Sequence, residues 1–432
     1  MSLKDKASQI FKPSRYKATT LYAYRGQDLT SVGRASTATR VNSKGLIEEV
    51  GINIPRLNYN PSNLSECPSF LFEESITNLS TYSTRLDDLT LDTNTDNSIS
   101  FKSNATTSPE GIINATKVIY DGSGYSYFRR FQLSNIGVFS VFVKKGNWRF
   151  IGVRMQGSTG VHTIFDLDKG EFTTAAYSGH NLGVEKYPNG WFRIYESLSS
   201  NYQVNLQGLC FCGSASAGAE LPSGVPANSY MYVFGWQLEA GKTIPSSYIP
   251  TNGSSVTRAA DSDLSIGLSE VGTAVTLYLD YKVKNSNPSR FMYGIFNGNS
   301  TSSAPYAAIY QASTQIYNDG TLYTAGIGGN SDGYKKLVIR IDGTSVSYFL
   351  NGKEYSANSF TNTLSNPYFL INYGIDKEQQ LTEYLIFPDA LLDTECVSLT
   401  SYDDYQELVD RNDLTWESPT ITNNRLTALK EL

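Results

Sequence analysis

Short stretches of alternating apolar and polar residues run along most of the chain. Two clear examples are 137–143 and 230–238. The apolar residues at every second position are Phe139, Val141 and Val143 in the first stretch, and Tyr230, Tyr232, Phe234, Trp236 and Leu238 in the second. A period of two predicts half-buried strands in which each set shares one face.

The second half of the chain continues the pattern. Residues 275–283 alternate so that Val275, Leu277, Leu279, Tyr281 and Val283 share one face, and Thr276, Tyr278, Asp280 and Lys282 share the other. This predicts an antiparallel strand buried on one side. Residues 335–355 predict three further strands in a meander, because Asp342-Gly343 and Asn351-Gly352 are pairs that tight hairpin turns favour.

The pattern divides the 432-residue chain into five parts. Residues 1–84 contain four prolines and no sustained alternating face, which predicts an extended N-terminal arm. The remaining parts are predicted as a first jelly-roll-like β-sandwich at 85–250, a linker at 251–261, a second β-sandwich at 262–402 and a C-terminal tail at 403–432. Helix is expected only near the end, after Asp393 and around Ile421, Leu426 and Leu429.

Composition supports an all-β fold class, with two antiparallel β-sandwich modules preceded by an extended arm. The chain has 30 Tyr, 20 Phe and 35 Gly but only 4 Met, which favours strands and turns over helices. Charged residues make up 18%, so Ser, Thr, Asn and Gly supply most of the polarity.

Net charge and cysteine content narrow the classes of partner. A net charge of −6 leaves no basic excess for phosphates or anionic lipids, so neither nucleic-acid binding nor membrane insertion is expected. The first residues lack the apolar core of a secretory signal, which predicts synthesis in a cytoplasm. The four cysteines, Cys67, Cys210, Cys212 and Cys396, are expected to be free thiols.

No catalytic residue is predicted. A sandwich-fold glycosidase needs two carboxylates flanking the scissile bond, and no Glu-x-Asp-x-Glu strand occurs. The adjacent acidic pairs Asp87-Asp88, Glu48-Glu49 and Glu73-Glu74 are interpreted as solvated charges. A non-enzymatic protein is therefore expected.

No metal-binding or cofactor-binding residue is predicted either. Asp92-Thr93-Asn94-Thr95-Asp96 resembles a calcium loop, but Asn97 and Ser103 replace its glycine and its bidentate glutamate, so a polar loop is expected. Cys210 and Cys212 share a strand face without further ligands, and His162 is expected to be a partly buried, hydrogen-bonded histidine.

Aromatic residues leave two interpretations open. Trp191 and Trp236 lie in apolar strands and are expected to fill cores rather than to stack on sugars. The surplus of Tyr suits either a carbohydrate-binding surface or an oligomer interface, so no binding residue is named. Examples are Tyr125, Tyr127, Tyr177, Tyr306, Tyr310 and Tyr323.

The second module resembles the concanavalin-A-like, laminin-G-type sandwich. The resemblance rests on strand 337–341, the Asp342-Gly343 turn, the strand ending in Asn351-Gly352, the apolar strand 383–387 and the acidic segment 391–395.

Other segments resemble phage virion proteins of the fibre and spike type. These are 34–47, 55–59, 72–83, 189–193 and above all 235–261, while the opening 2–17 resembles proteins of phages that infect gut Bacteroidetes, including the crAss-like group. The resemblance implies a virion-attached structural appendage, with a head fibre favoured over a tail fibre. The alternative is a tail-fibre receptor-binding protein whose function is adsorption. A polysaccharide depolymerase is a third alternative, but the regular short repeats of a parallel β-helix are not visible in the sequence.

The partners implied are capsid or tail proteins, reached through the N-terminal arm, and further copies of the chain in a homo-dimer or trimer. Cell-surface or mucin glycans are implied as ligands of the lectin-like modules.

Overall fold

The computed structural model describes residues 3–11, 16–17, 20–21, 23, 26–27, 32–84, 97–131, 136–154, 162–174, 180–198, 207–215, 223–262, 264–283, 291–300, 303–310, 315–318, 321–323, 333–356, 359–371 and 379–401. Strands and turns dominate, and the α-helices in this part of the chain are α1 (Leu3–Lys6) and α2 (Asp393–Ser401). The prediction of an all-β protein is confirmed. No helix among these residues is long and apolar enough to cross a membrane.

The first sandwich consists of two antiparallel sheets. Sheet 1 is six-stranded, in the order β16 (His180–Tyr187), β17 (Trp191–Leu198), β12 (Ile136–Lys145), β19 (Ser229–Ala240), β10 (Ile113–Tyr120) and β9 (Ile99–Thr107). Sheet 2 is five-stranded, in the order β11 (Tyr127–Phe131), β18 (Gln207–Phe211), β13 (Phe150–Arg154), β14 (Thr163–Asp166) and β15 (Glu171–Thr174). Apolar side chains from both sheets form the core between them.

The second sandwich also has two antiparallel sheets. Sheet 3 is eight-stranded, in the order β29 (Lys353–Ser356), β28 (Ser345–Leu350), β27 (Gly333–Asp342), β22 (Ala274–Val283), β31 (Gln379–Phe387), β7 (Ser69–Phe72) and β6 (Leu57–Asn58), with β1 (Gln9–Phe11) also paired to β31. Sheet 4 has the order β21 (Leu264–Gly267), β30 (Tyr368–Ile371), β23 (Phe291–Phe296), β24 (Tyr306–Tyr310), β25 (Gln315–Asn318) and β26 (Thr321–Tyr323). Three two-stranded ribbons pair β2 (Tyr16–Lys17) with β3 (Thr20–Leu21), β4 (Ala38–Val41) with β5 (Ile47–Val50), and β8 (Ile76–Asn78) with β20 (Val256–Arg258).

Strand β19 changes face in its middle. The register between β12 and β19 shifts between Ser140 and Phe142, and Gly235 has a φ of +68°, which marks a β-bulge. As a result Trp236 lies in the core between sheets 1 and 2, whereas Phe234 lies on the outer face of sheet 1. The prediction that the apolar residues of 230–238 share one face is wrong, whereas Phe139, Val141 and Val143 do all face that core.

Strand β22 is buried on both faces. Val275, Leu277, Leu279 and Tyr281 face the core between sheets 3 and 4, as predicted. The opposite face was expected to be solvated, but there Tyr278 packs with Leu3 of α1 and Leu399 of α2 in a second cluster. Both helices cover the outer side of sheet 3.

Other predictions for the second sandwich are confirmed. Strands β27, β28 and β29 form a meander, and the φ angles of Asn351 (+47°) and Gly352 (+79°) suit the tight turn between the last two. Helix α2 begins at Asp393, as expected. The predicted amphipathic piece around Ile421 lies outside the described residues.

Residues 1–84 were expected to form an extended arm, yet their strands β1, β6 and β7 belong to sheet 3 of the second sandwich. Strand β1 pairs with one half of β31 and β7 pairs with the other half. The β4–β5 hairpin packs Val41 and Ile47 on the outer face of sheet 1, where the Ile47 amide donates to the Pro109 carbonyl at 2.9 Å. Strands β1 and β7 find their partner strand hundreds of residues later in the chain, so local periodicity does not reveal them.

Residues 251–261, expected to be a linker, are held in place. Strand β20 pairs with β8, and Arg258 and Asp261 are buried at 1% and 3% exposure. This stretch therefore joins the two sandwiches through a fixed path.

Candidate functional site

A buried cluster of charges lies where the N-terminal segment meets the stretch between the sandwiches. Arg34 donates to Asp261 at 2.7 Å, and Arg56 donates to both Asp261 and Glu73. Arg258 lies 3.0 Å from Glu73. We call these five residues the charge clasp, because Arg34, Arg56 and Glu73 come from the N-terminal segment and the other two from 251–261.

Electrostatics within the clasp favour the ionised form of Glu73. Burial disfavours the Glu73 carboxylate, but Arg258, Arg56 and two hydrogen bonds from Ser247 outweigh burial and hold the pKa of Glu73 well below its usual range. Glu73 was interpreted as a solvated charge, and that interpretation is wrong. Since both carboxylates of the clasp are held in ion pairs, the clasp is a structural feature rather than an acid–base site.

A cavity of about 260 Å³ opens beside the clasp, where three parts of the chain meet. The N-terminal segment contributes residues of the β4–β5 hairpin and of the turn after β6. The first sandwich contributes the end of sheet 1 and the segment 245–248, and the second contributes β22 and β31. The polar and aromatic side chains of the lining include Arg40, Asn58, Tyr59, Asn60, Ser62, Glu66, Cys67, Glu185, Tyr187, Arg193, Lys282, Gln380 and Thr382.

Local structure holds the polar groups of the cavity in place. The Asn58 side chain accepts a hydrogen bond from the Val41 amide at 2.8 Å, which fixes β6 against the β4–β5 hairpin. Asn60 donates to Glu66 at 2.8 Å and accepts from the Ser62 amide at 3.0 Å, so the turn after β6 is preorganised. Preorganised amides, carboxylates and hydroxyls are groups that can orient a polar ligand.

Two tyrosines give the cavity aromatic walls. Tyr59 packs against apolar residues of both sandwiches. Burial raises the pKa of its phenol and outweighs the opposite effect of nearby Arg40. Tyr187 is held edge-on against Phe142, with ring centroids 5.1 Å apart. A protonated phenol beside an aromatic wall can donate a hydrogen bond while its ring covers an apolar surface.

Charges of both signs line the cavity. Arg193 is almost fully buried, donates to the Ser140 hydroxyl at 3.1 Å and lies 3.8 Å from Glu185. Arg40, which also lines the cavity, is paired with Glu48. Because Arg193 lies near Glu185 and Arg40 is paired with Glu48, the cavity suits a neutral, hydroxyl-rich ligand more than a highly charged one.

Sequence reasoning missed this cavity because its walls come from segments far apart in the chain. The only local signal was the polar turn 58–63 inside a segment interpreted as an arm. Of the residues singled out from the sequence, Trp191 and Trp236 are buried at 1% and 0% exposure, so their assignment to cores is confirmed.

Other predicted features are spread over the molecule. Tyr125 is exposed, whereas Tyr127 and Tyr306 are buried. His162 is fully buried, with its ring 5.2 Å from that of Tyr127. The side chains of Tyr310 and Tyr323, together with Tyr177, the pair Asp87-Asp88 and the loop Asp92–Asp96, lie outside the described residues.

The cysteines of the described chain are free thiols, as expected. Cys210 lies in β18 and Cys212 directly follows that strand, and their sulfur atoms are 3.6 Å apart. Burial raises the pKa of the Cys210 thiol. Among the described residues, no group of three or more His, Cys, Asp or Glu side chains could hold a metal ion.

No protein-family model and no curated protein matches the sequence. Among solved structures, the chain is similar to the CBM40 module of the Ruminococcus gnavus IT-sialidase bound to α2,3-sialyllactose, with 14% identity, a TM-score of 0.23, and coverage of 33% of this chain and 97% of that one. It is also similar to the leech intramolecular trans-sialidase, with 16% identity, a TM-score of 0.23, and coverage of 34% of this chain and 28% of that one. A third similarity is to domains LG4-5 of the mouse laminin α1 chain, with 10% identity, a TM-score of 0.19, and coverage of 64% of this chain and 91% of that one.

Proposed function

We propose that this chain is a non-enzymatic, glycan-binding structural subunit of a phage particle, in which the cavity between the two sandwiches holds one sugar residue. The observation that carries the glycan-binding part is the cavity itself. It combines two tyrosine walls with preorganised amide and hydroxyl groups, the combination that polar, ring-shaped ligands require. Its volume of 260 Å³ lies just below the range of about 300–1,000 Å³ typical of small-molecule sites, which suits a single sugar or a chain end.

The contacts of the carboxylates in the cavity favour binding over catalysis. The carboxylates of Glu66 and Glu185 are engaged by the Asn60 amide and by Arg193 respectively. Glycoside hydrolysis needs a pair of carboxyl groups that act together on one bond, whereas these two are each engaged by a protein partner.

The particle part of the proposal rests on the resemblance of 34–47, 72–83 and 235–261 to phage fibre and spike proteins. We propose a head fibre or spike, with a tail fibre as the alternative, assembled as a homo-dimer or trimer in the virion. Weak binding per cavity would then gain strength from several copies on one particle. Docking to capsid or tail proteins is assigned to the N-terminal segment.

Cys67 offers a direct test of the cavity. It lines the cavity and is exposed, whereas Cys210, Cys212 and Cys396 are buried. A bulky maleimide coupled to Cys67 should therefore fill the cavity without any substitution. On a mucin-type glycan array, the labelled protein should lose binding that the unlabelled protein shows, and a Cys67→Ala variant treated with the same maleimide should keep it.

Four outcomes would overturn parts of the proposal. Binding that survives labelling would move the glycan site away from the cavity, and silence of the unlabelled protein across the array would remove the glycan role. Release of reducing sugar from bound glycans would contradict the non-enzymatic assignment. For the particle, absence of the protein from cross-linked, purified virions by mass spectrometry would refute the structural role.

A further inference from the structure

A row of basic and aromatic side chains crosses the outer face of sheet 1. The strand registers place Lys102 opposite Lys117, Lys117 opposite Tyr232, and Tyr232 opposite Lys144. Residues directly opposite each other in antiparallel strands share a face, so these four side chains form one line across β9, β10, β19 and β12. Tyr230 lies beside this line, and we call the five residues the lysine shelf.

The shelf is open, and its charges are not neutralised within the described part of the chain. Lys102 is exposed and Lys117, Lys144, Tyr230 and Tyr232 are half-buried. None of the three lysines forms an ion pair with a described carboxylate, whereas Lys145, the next residue along β12, is paired with Asp168. Like charges directly opposite in a sheet are destabilising, so the pairing of Lys102 with Lys117 is unfavourable unless an anion lies over it.

The two tyrosines are held rigidly. The Tyr230 ring lies over Gly146, where any Cβ would come within 2.3 Å of it, and the Tyr230 amide donates to the Asn147 side chain at 2.7 Å. The Lys117 ammonium lies 3.6 Å from the centre of the Tyr230 ring, a cation–π contact. Burial, followed by the influence of Tyr230, raises the pKa of Tyr232, so its hydroxyl remains a hydrogen-bond donor at neutral pH.

We propose that the lysine shelf binds an acidic polysaccharide whose chain runs across the strands. The distance from β9 to β12 is three strand spacings, roughly 14 Å, so successive anionic groups of one chain can meet Lys102, Lys117 and Lys144. This site is separate from the cavity, because none of its five residues lines that cavity.

Two other classes of polyanion fit less well. Single-stranded nucleic acid needs open aromatic faces for its bases, but the face of Tyr230 is covered by Lys117 and the Tyr232 ring stands at 78° to it. An extended acidic peptide gains affinity by adding along a free strand edge. The shelf instead runs across the strands, from the edge strand β9 to β12, and β10, β19 and β12 are already paired on both sides.

The test uses the full chain and immobilised polygalacturonate, with neutral dextran, poly(dT) and polyglutamate as comparison ligands. Replacing Lys117 and Lys144 together by Gln should weaken polygalacturonate binding at least about tenfold, since each ammonium contributes a charge-assisted contact. Lys145→Gln removes the same charge from the same strand and should change binding by less than about twofold. Added salt should weaken binding by the natural protein.

A stability readout separates lost contacts from lost folding. Lys102→Gln removes a like-charge neighbour, so it should weaken binding while leaving the melting temperature equal or higher. Equal loss with Lys145→Gln would overturn the proposal, as would tighter binding of poly(dT), polyglutamate or neutral dextran than of polygalacturonate. No shelf variant changes a residue of the cavity. If the lysine shelf does not bind polygalacturonate, the Cys67 labelling experiment therefore still tests the cavity on its own.

Discussion

Replacing Asp261 with Ala should loosen the charge clasp and destabilise the protein substantially. The Asp261 carboxylate accepts hydrogen bonds from Arg34 at 2.7 Å, from Arg56, and from the Glu73 amide at 2.9 Å, and its side chain is 1% exposed. Its removal leaves three buried arginines around one carboxylate. Breaking a buried ion pair by removing one partner costs about 3–5 kcal/mol, because the remaining charge stays buried without compensation.

Calorimetric melting measures this effect. A loss of about 3–5 kcal/mol should lower the melting temperature by roughly 6–20 °C, since each kcal/mol corresponds to about 2–4 °C for domains of 150–250 residues. Asp168→Ala is the matched control, because Asp168 pairs with Lys145 at the surface, where both side chains are about two-fifths exposed and a pair contributes about 0–1 kcal/mol. If the two variants melted alike, the clasp would have to be solvated, and the argument from burial would be refuted.

Two further predictions concern pH and the first core. The pKa of Glu73 is lower in the folded state than in the unfolded chain, where it is about 4.3. The ionised Glu73 therefore contributes fully to the free energy of unfolding above that pH, and the contribution is lost as the pH falls below it. In urea unfolding, the free energy of unfolding should therefore decrease as the pH is lowered from 5 to 3, and it should decrease less steeply in Glu73→Gln. The same pH dependence in both proteins would contradict this. Trp236→Ala should cost about 3–5 kcal/mol in thermal unfolding, since the ring is fully buried and stacks on Phe139 at 5.2 Å; a cost below about 1 kcal/mol would place the ring outside the core.

Patterns that are local in the chain predicted local structure well. The alternation of 275–283, the Asn351-Gly352 turn and the start of α2 at Asp393 all depend on neighbours within a few residues. The face change in β19 escaped prediction because a single residue, Gly235, breaks the period of two. A glycine inside a strand pattern is the one signal of such a bulge.

Features that depend on distant pairing could not be predicted. Strands β6 and β7 are two and four residues long, too short for a detectable period, and their place in sheet 3 is set by β31. The charge clasp could not be predicted for the same reason. Glu73 beside Glu74 has the pattern of a solvated pair, and only the fold brings Arg258 within 3.0 Å of it.

The pairing of β1 with β31 has a consequence for the order of events during synthesis on the ribosome. Ile10 pairs with Leu385, so the first strand cannot find its partner until nearly the whole second sandwich has emerged. At about 5–20 residues per second, that delay is roughly 20–75 s. The first sandwich, whose two sheets lie within 99–240, can fold during this interval. Until then the apolar residues of β1 and β7 lack their partner strand β31, so burial of the N-terminal segment depends on the last strand of the second sandwich.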